Sequence, residues 1–140
     1  MRRIAAVDYG LKRIGLAISD RGATIALPLE KVAAGKNPGA SAKNVMQALS
    51  VYQNEIEAIL VGLPLLMNGT RGEMAELAEK FAEALRTASG LRVECVDERL
   101  TSAQADRALR EMEMNRKERS KAIDSVSATL LLQAYLDRKT

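Results

Sequence analysis

Four acidic residues stand where carboxylates could form a reaction centre. Asp8 closes an apolar run, Asp97 and Glu98 follow a second one, and Asp124 lies in the last helical segment of the chain. In an open α/β sheet, ligands collect beyond the carboxyl ends of the strands. Carboxylate oxygens are the ligands that hard cations such as Mg²⁺ and Mn²⁺ prefer. The sequence therefore predicts a metal-assisted site built from Asp and Glu side chains.

The composition excludes several other kinds of active site. The 140 residues include no His and a single Cys, Cys95. Nucleophiles that depend on a histidine base, His-ligated zinc, multi-thiolate metal sites and internal disulfides are all excluded. The working groups of an enzyme with this composition are carboxylates, lysines or hydroxyls.

Two of the acids also have a purely structural interpretation. Asp8 could begin an Asx-type turn, although an Asp that ends an apolar strand is costly to bury without a partner or an ion. Asp124 could complement the macrodipole from the first turns of a helix. Its neighbours Ser127, Ala128 and Leu131 form a stripe that is small near the Asp. This stripe is predicted to lie close against the sheet.

The apolar pattern of the first third of the chain predicts three antiparallel strands. The near-continuous apolar run over residues 3–8 is typical of a strand buried on both faces. The alternating run over 13–19 predicts its hairpin partner, with a tight connection at 9–12. A third strand is predicted over 24–32, and Pro28 places it at an edge of the sheet.

The rest of the chain alternates helix and strand. Strands are predicted over 55–62 and 91–96, while apolar residues at helical spacing follow the loop at 35–39, Thr70 and Ser102. The element order is therefore β-β-β-α-β-α-β-α-α. This order predicts an α/β fold whose mixed sheet is covered by helices on both faces.

Local signals predict where the later helices begin and end. Thr70 and Glu73 fit a capping box at the start of the second helix, which Ser89-Gly90 ends. From Ser102 onward we expect a helix, a basic loop and a final helix that Asp124 opens. The residues of this region predicted to face the core are Ile123, Val126, Leu130 and Leu131.

One segment, residues 107–121, carries the charge excess of the chain. It holds six cations and three acids, so its net charge equals the formal +3 of all 140 residues. A local basic patch on a neutral body indicates polyanion binding, and the alternative is a solvated helix face or loop. The six cations are Arg107, Arg110, Arg116, Lys117, Arg119 and Lys121.

Length and hydropathy predict one domain over residues 1–140. No apolar run approaches the roughly 18 residues that a membrane span requires. Asp8 also interrupts the short apolar run that resembles a signal peptide. We therefore expect a cytoplasmic protein that does not bind membranes, and the lone Cys95 agrees with that compartment.

Four motifs resemble, in order and spacing, those of the YqgF family, which is also called RuvX. Each motif alone is weak, but together they cover essentially the whole chain. They are the runs 7–20 (VDYGLKRIGLAISD), 61–70 (VGLPLLMNGT), 96–102 (VDERLTS) and 123–128 (IDSVSA), the last followed by Leu132-Gln133.

The resemblance implies a ribonuclease H-like fold related to the RuvC Holliday junction resolvases. Its five-stranded sheet has the order 3-2-1-4-5, with strand 2 antiparallel. The resemblance makes Asp8 the metal ligand of the first strand, Glu98 the acid after the last strand and Asp124 the acid of the C-terminal helix. Asp97, adjacent to Glu98, stays open as an alternative ligand.

The second motif departs from the family pattern. Leu66, Asn68 and Arg71 stand where the family usually has Asn, Asp and Glu. We expect this change to affect substrate contacts or loop capping while leaving the three ligands intact. Ser127 replaces a commoner Ala beside Asp124, which should not disturb close packing.

The carboxylates and the resemblance together predict a two-metal nuclease. Three converging carboxylates repel one another unless cations lie between them. Two Mg²⁺ or Mn²⁺ ions about 4 Å apart support phosphodiester hydrolysis without histidine. Lys12 or Arg13 is a candidate for holding a phosphate, with a solvated turn as the alternative. The cations expected to bind the nucleic-acid backbone are Arg116, Lys117, Arg119 and Lys121.

Four functions differ in what they require. The resemblance favours 5′-end maturation of the small-subunit ribosomal RNA precursor, a structured RNA. The alternative, Holliday junction resolution on branched DNA, normally requires a symmetric dimer, and the sequence leaves monomer and homodimer open. A non-catalytic nucleic-acid-binding module predicts degraded acids, yet all three are present. An ASKHA-type phosphotransferase shares the Asp-x-Gly hairpin, but 140 residues are too few for its two lobes.

Overall fold

Five strands and three helices make up the part of the chain that the computed structural model describes. This part comprises residues 2–63, 72–97 and 116–139, with side chains described over 126–138 in the last range. In chain order the elements are β1 (Arg3–Asp8), β2 (Arg13–Ser19), β3 (Ala26–Ala33), α1 (Pro38–Ala48) with a 3₁₀ turn (Leu49–Tyr52), β4 (Ile56–Leu63), α2 (Glu73–Ser89), β5 (Arg92–Asp97) and α3 (Arg116–Lys139).

The strands form one mixed sheet of order β3-β2-β1-β4-β5. β2 pairs antiparallel with β1 and with β3, whereas β4 lies parallel to β1 and to β5. The predicted strand order, the antiparallel second strand and the edge position of the strand that contains Pro28 are therefore confirmed.

Each face of the sheet carries its own apolar cluster, because successive side chains of a strand point to opposite faces. Val7 and Leu16 belong to the cluster that α1 and α2 cover, together with Val45 and Phe81. We call this side the α1–α2 face. The other cluster, on what we call the α3 face, contains Ile4, Ala6, Ala17, Leu60, Ala128, Leu131, Leu132 and Leu136. The prediction of helices on both faces is confirmed.

The β1–β2 turn depends on glycine. A Cβ atom on Gly10 would lie 2.4 Å from the carbonyl oxygen of Arg13, closer than side-chain carbons come to other atoms. The backbone N–H of Ala34 donates to the carbonyl of Lys12 at 2.9 Å, which attaches this turn to the chain between β3 and α1. The turn that follows Asp8 is therefore tight, and a backbone hydrogen bond attaches it to the segment that leads into α1.

Gln133 holds α3 against the start of β3. Its Oε1 accepts the backbone N–H of Ala26 at 2.9 Å, and its Nε2 donates to the carbonyl of Thr24 at 3.0 Å. On the other flank of the helix, the Tyr135 hydroxyl donates to Oε2 of Glu94 in β5 at 2.9 Å. The two contacts fix the helix from both sides of its apolar stripe.

The capping box predicted from Thr70 and Glu73 is wrong. The N-cap of α2 is Gly72, whose backbone is extended and which makes no side-chain capping bond, and Glu73 is the first helical residue. Thr70 itself lies outside the described residues. Glu73 and Glu76 in the first turn stabilise the helix through its macrodipole instead. The predicted end is confirmed, since Gly90 is the C-cap in the left-handed conformation at φ 69°.

The predicted start of the final helix is also wrong. Arg116 begins α3, so the second half of the basic segment is helical and Asp124 does not open the helix. Asp124 lies beyond the first turn, where the macrodipole effect has faded. Leu131 is buried as predicted, whereas Val126 and Leu130 are only partly buried and the side chain of Ile123 is outside the described set.

Membrane insertion by a helix has no support in the described ranges. None of the helices there combines the length and the hydropathy that crossing a bilayer requires.

Replacing Gln133 tests how α3 is held. Gln133→Ala leaves the N–H of Ala26 and the carbonyl of Thr24 without these bonds, so we expect the free energy of unfolding to fall by about 1–2 kcal/mol. Urea denaturation measures this change. Gln47→Ala, at an exposed position of α1, is the matched control and should stay within about 0.5 kcal/mol of the parent. Equal effects of the two variants would contradict the assignment.

The side chain of Asp20 predicts how the free energy of unfolding changes with pH. Its Oδ1 accepts the backbone N–H groups of Thr24 and Ile25 at 2.8 and 3.1 Å, and these bonds lower the pKa of its carboxyl below 3.8. A depressed folded-state pKa stabilises the fold above the unfolded value and ceases to do so as pH falls through the folded value. Below pH 3.8, Asp20→Asn should therefore flatten the dependence of the unfolding free energy on pH. Glu57→Gln is the control, and equal flattening by both would contradict this prediction.

Candidate active site

Two of the predicted acids end parallel strands at the same edge of the sheet. β1, β4 and β5 run in one direction, and the registers Val7↔Val61 and Val61↔Cys95 place their last residues side by side. We call this the carboxyl edge. Asp8 and Asp97 are separated there by the width of two strand spacings, about 10 Å.

Asp8 belongs to the α3 face of the sheet. Ile4 and Ala6, which precede it at the period of two, lie in the α3-side cluster, and the side chain of Asp8 is partly buried. Its neighbour Tyr9 points the other way and packs on Phe81, with ring centroids 4.7 Å apart. Burial raises the pKa of the Tyr9 phenol above its ordinary value of 10.0. Tyr9 is therefore a core residue.

Asp97 lies on the opposite face by the same alternation. Val93 belongs to the α1–α2 cluster, whereas Val96 packs against the α3-side cluster and Glu94 bonds to Tyr135 of α3. Asp97, in phase with Val93, follows the α1–α2 face. The structure thus brings Asp8 and Asp97 to one edge but assigns them to different faces.

The other predicted ligands are described only in part. Glu98 lies outside the described residues, and so do the loop positions Leu66, Asn68 and Arg71. Asp124 is placed by its backbone in α3, on the stripe whose next members, Ala128 and Leu131, are buried against the sheet. Among the side chains that the structure describes, no group of three metal-ligating residues assembles.

The predicted phosphate-binding cations divide into two groups. Lys12 and Arg13 are exposed in and just after the β1–β2 turn that follows Asp8. The other four lie in the first turns of α3, in the same helix as Asp124, and their side chains are outside the described set. They are Arg116, Lys117, Arg119 and Lys121.

The residues that position α3 were not predicted as such. Gln133 appeared in the sequence as part of a motif, and Tyr135 as one of four aromatics. Both flank the buried stripe that contains Leu132 and Leu136. Polar side chains at the borders of an apolar helical stripe are the signal that identifies such contacts, although the partner strands cannot be read from the helix alone.

Sequence comparison places this chain among relatives of nearly equal length. A protein of Protochlamydia amoebophila is 41% identical over 141 residues, covering 98% of this chain and 94% of the relative. One of Endomicrobium trichonymphae is 45% identical over 139 residues, covering 98% and 96%. Both carry the curated name "Putative pre-16S rRNA nuclease".

Structure comparison confirms the predicted ribonuclease H-like fold. RuvC of T. thermophilus, solved in complex with a Holliday junction substrate, superposes with a TM-score of 0.57 at 18% sequence identity. The match covers 99% of this chain and 96% of RuvC.

A family match extends over almost all of the sequence and agrees with the resemblance carried by the four motifs. The sequence model of the family described as "RuvX: Holliday junction resolvase" matches residues 2–138. With two curated relatives above 40% identity and a RuvC-like sheet, the chain belongs to the RuvX family.

Proposed function

We propose that this protein is a metal-dependent nuclease that hydrolyses phosphodiester bonds in the 5′-end maturation of pre-16S ribosomal RNA, in the cytoplasm. The observation that carries the proposal is the contact of Gln133 with the start of β3, which supports a register of α3 that would bring Asp124 level with Asp8. The names of the curated relatives support RNA as the substrate.

The register begins at Gln133. This residue bonds to Ala26, which pairs with Ser19, and the hydroxyl of Ser19 accepts the backbone N–H of Ile4 at 2.8 Å. Gln133 is therefore level with Ile4, near the amino end of β1.

From Gln133 toward its N-terminus, α3 runs toward the carboxyl edge of the sheet. Ala128, which precedes Gln133, is buried in one cluster with Ala6 and Ala17, the cross-strand pair that lies further along β1. From Gln133 back to Asp124 the helix extends about 13 Å. From Ile4 to Asp8 the strand also extends about 13 Å. These equal lengths support a site at which Asp124 and Asp8 meet on the α3 face.

The third acid of the proposed site is Glu98. Asp97 is in phase with Val93 and so follows the face opposite to Asp8. A ligand set gathered on the α3 face does not use Asp97. Glu98 is therefore the one of the two adjacent acids that we propose as the ligand.

The donor set fits divalent cations. Asp8 is partly buried at the end of a strand whose central residues are fully buried, so water screens its charge poorly. Carboxylates that gather there repel one another, and Mg²⁺ or Mn²⁺ held by Asp8, Glu98 and Asp124 would offset that repulsion. When bound, two such ions supply an activated water and a stabilised leaving oxygen.

The chain's own cations hold the substrate. Lys12 and Arg13, exposed in and just after the turn that follows Asp8, would neutralise a phosphate at the carboxyl edge. The basic turns of α3 precede Asp124 in the same helix. A nucleic-acid backbone bound to these turns would therefore extend toward the site. These contacts recognise the charge and shape of the nucleic-acid backbone and do not distinguish one base from another.

Three single substitutions test the site. We expect Asp8→Asn, Glu98→Gln and Asp124→Asn each to slow Mg²⁺-dependent cleavage of a pre-16S RNA fragment by at least about 10–100-fold, the loss that outer-shell partners of metal ligands already cause. Gel analysis of cleavage at the precursor 5′ end measures it. Chelation should abolish cleavage, and added Mg²⁺ or Mn²⁺ should restore it.

The controls separate the alternatives. Asp97→Asn is expected to retain cleavage, and so is Glu57→Gln, which removes an exposed carboxylate of β4. Undiminished cleavage in all three site variants would refute the site, and loss in Asp97→Asn alone would assign Asp97 as the ligand. A four-way DNA junction assayed in parallel tests the resolvase function that the family description names, and paired cuts in the junction without cleavage of the RNA would replace the proposed substrate.

The basic turns of α3 give a second test. Replacing Arg116, Lys117, Arg119 and Lys121 by Ala should weaken RNA binding and reduce the slope of log Kobs against log salt by about 3, since each phosphate contact with a single strand contributes about 0.7. Fluorescence anisotropy over a salt series measures this. Metal binding, followed by calorimetry, should be unchanged. An unaltered affinity at low and moderate salt would exclude these residues from the RNA interface.

A further inference from the structure

The helical layer on the α1–α2 face is split in charge. Residues 36–54, which include α1, contain two cations, Lys36 and Lys43, and no acid. α2, which packs beside α1, has four acids and two cations. One half of the layer is therefore positive and the other negative. The acids of α2 are Glu73, Glu76, Glu79 and Glu83.

Several cations elsewhere in the described ranges are paired with acids. Arg86 bonds to Glu83 at 2.7 Å, and Arg3 and Arg21 both lie 3.3 Å from Oε1 of Glu55. Such pairs neutralise most of the field that each cation would project.

Lys36 and Lys43 differ from those cations. Both are exposed, and neither makes an ion pair with another described residue. Lys36 precedes the N-cap of α1 and Lys43 lies within the helix, so both charges are near its N-terminal half, where the helix macrodipole adds positive potential. A polyanion is attracted to this half of the layer and repelled by α2.

The positive half is continuous with the candidate site. The bond from Ala34 N–H to the Lys12 carbonyl joins the β1–β2 turn to the segment that leads into α1. The N-cap of α1, Asn37, follows Lys36 directly and accepts the N–H of Ala40 through its side chain at 2.8 Å. Lys12, Lys36 and Lys43 thus form a basic path that leads away from Asp8, which we call the α1 path.

We infer that the α1 path binds the phosphates of one RNA strand flanking the scissile bond, so that this flank leaves the carboxyl edge over α1 and not over α2. The inference rests on the proposed function for what occupies the site. A bond cleaved within a precursor chain has nucleotides on both sides, and the basic turns of α3 belong to the helix that covers the opposite face of the sheet from α1. The α1 path supplies contacts for the other flank.

The test measures how the removal of two positive charges changes the binding of a short and of a long RNA. Full-length protein carrying Asp8→Asn, which keeps the RNA intact, is titrated with single-stranded RNAs of about 4 and about 16 nucleotides, the range of strand lengths that single binding surfaces contact. For the long RNA, Lys36→Ala with Lys43→Ala should reduce the salt slope by about 1.4, two contacts at about 0.7 each. The short RNA, confined to the carboxyl edge, should show no change.

The matched control removes two exposed cations that lie outside the α1 path, Lys80 in α2 and Arg92 in β5. Lys80→Ala with Arg92→Ala changes the net charge equally but leaves the α1 path intact, so both slopes should stay at the parent value. Thermal unfolding checks that all variants are folded. An unchanged slope in the α1 variant, or equal loss with the control pair, would overturn the α1 path. Equal weakening of polyglutamate binding by the α1 variant would show a docking surface for acidic proteins instead and would also overturn it.

Cleavage by the parent protein separates this inference from the proposed function. Length-dependent binding that needs Lys36 and Lys43, in a protein that cleaves no RNA, would support the α1 path and reject the nuclease. Cleavage that needs Asp8 but is accompanied by binding insensitive to Lys36 and Lys43 would support the nuclease and reject the α1 path.

Discussion

The close approach of α3 to the sheet is the constraint on which the candidate site depends. A carboxylate on a helix can share a cation with one on a strand only if the two backbones come near each other. Here part of the contact surface is made of small side chains, since Ala6, Ala17 and Ala128 are each fully buried in the cluster that also holds Leu131, Leu132 and Leu136. Gln133 then fixes the position of the helix along its axis through two backbone bonds. Small side chains allow α3 to approach the sheet closely. The side-chain amide of Gln133 determines which part of the helix lies against which part of the sheet.

Much of the fold could be predicted because the residue pattern of each strand depends on whether its faces are buried and whether it lies at an edge of the sheet. β1 is apolar without interruption because both of its faces are covered, and Pro28 marks the edge strand because it cannot donate to an inner ladder. Where helices begin was less predictable. Thr70 and Glu73 fit a capping pattern, but the chain begins α2 from Gly72, and charge density made the start of α3 resemble a loop.

The candidate site was predictable in its residues but not in its geometry. Asp8 and Asp124 could be selected from their apolar surroundings and from the family motifs. The face on which each acid lies follows from strand register and helix packing, which involve residues distant in sequence, such as the contact between Gln133 and Ala26. The proposal of Glu98 over Asp97 therefore rests on the phase of β5, in which Val93 and Val96 lie on opposite faces.

The placement of charge separates stability from substrate binding. At the amino end of the sheet, Glu55 bonds to Arg3 and lies beside Arg21, and the guanidinium of Arg3 also lies 5.1 Å from the ring centroid of Tyr52. Partly exposed pairs of this kind contribute little energy, but they leave little unbalanced potential there. In the turn after Asp8 and in the segment bonded to it, Lys12 and Lys36 stay unpaired among the described residues, so their charges are available to a phosphate chain. A neutral body with a local field of this kind orients a polyanion before any specific contact forms.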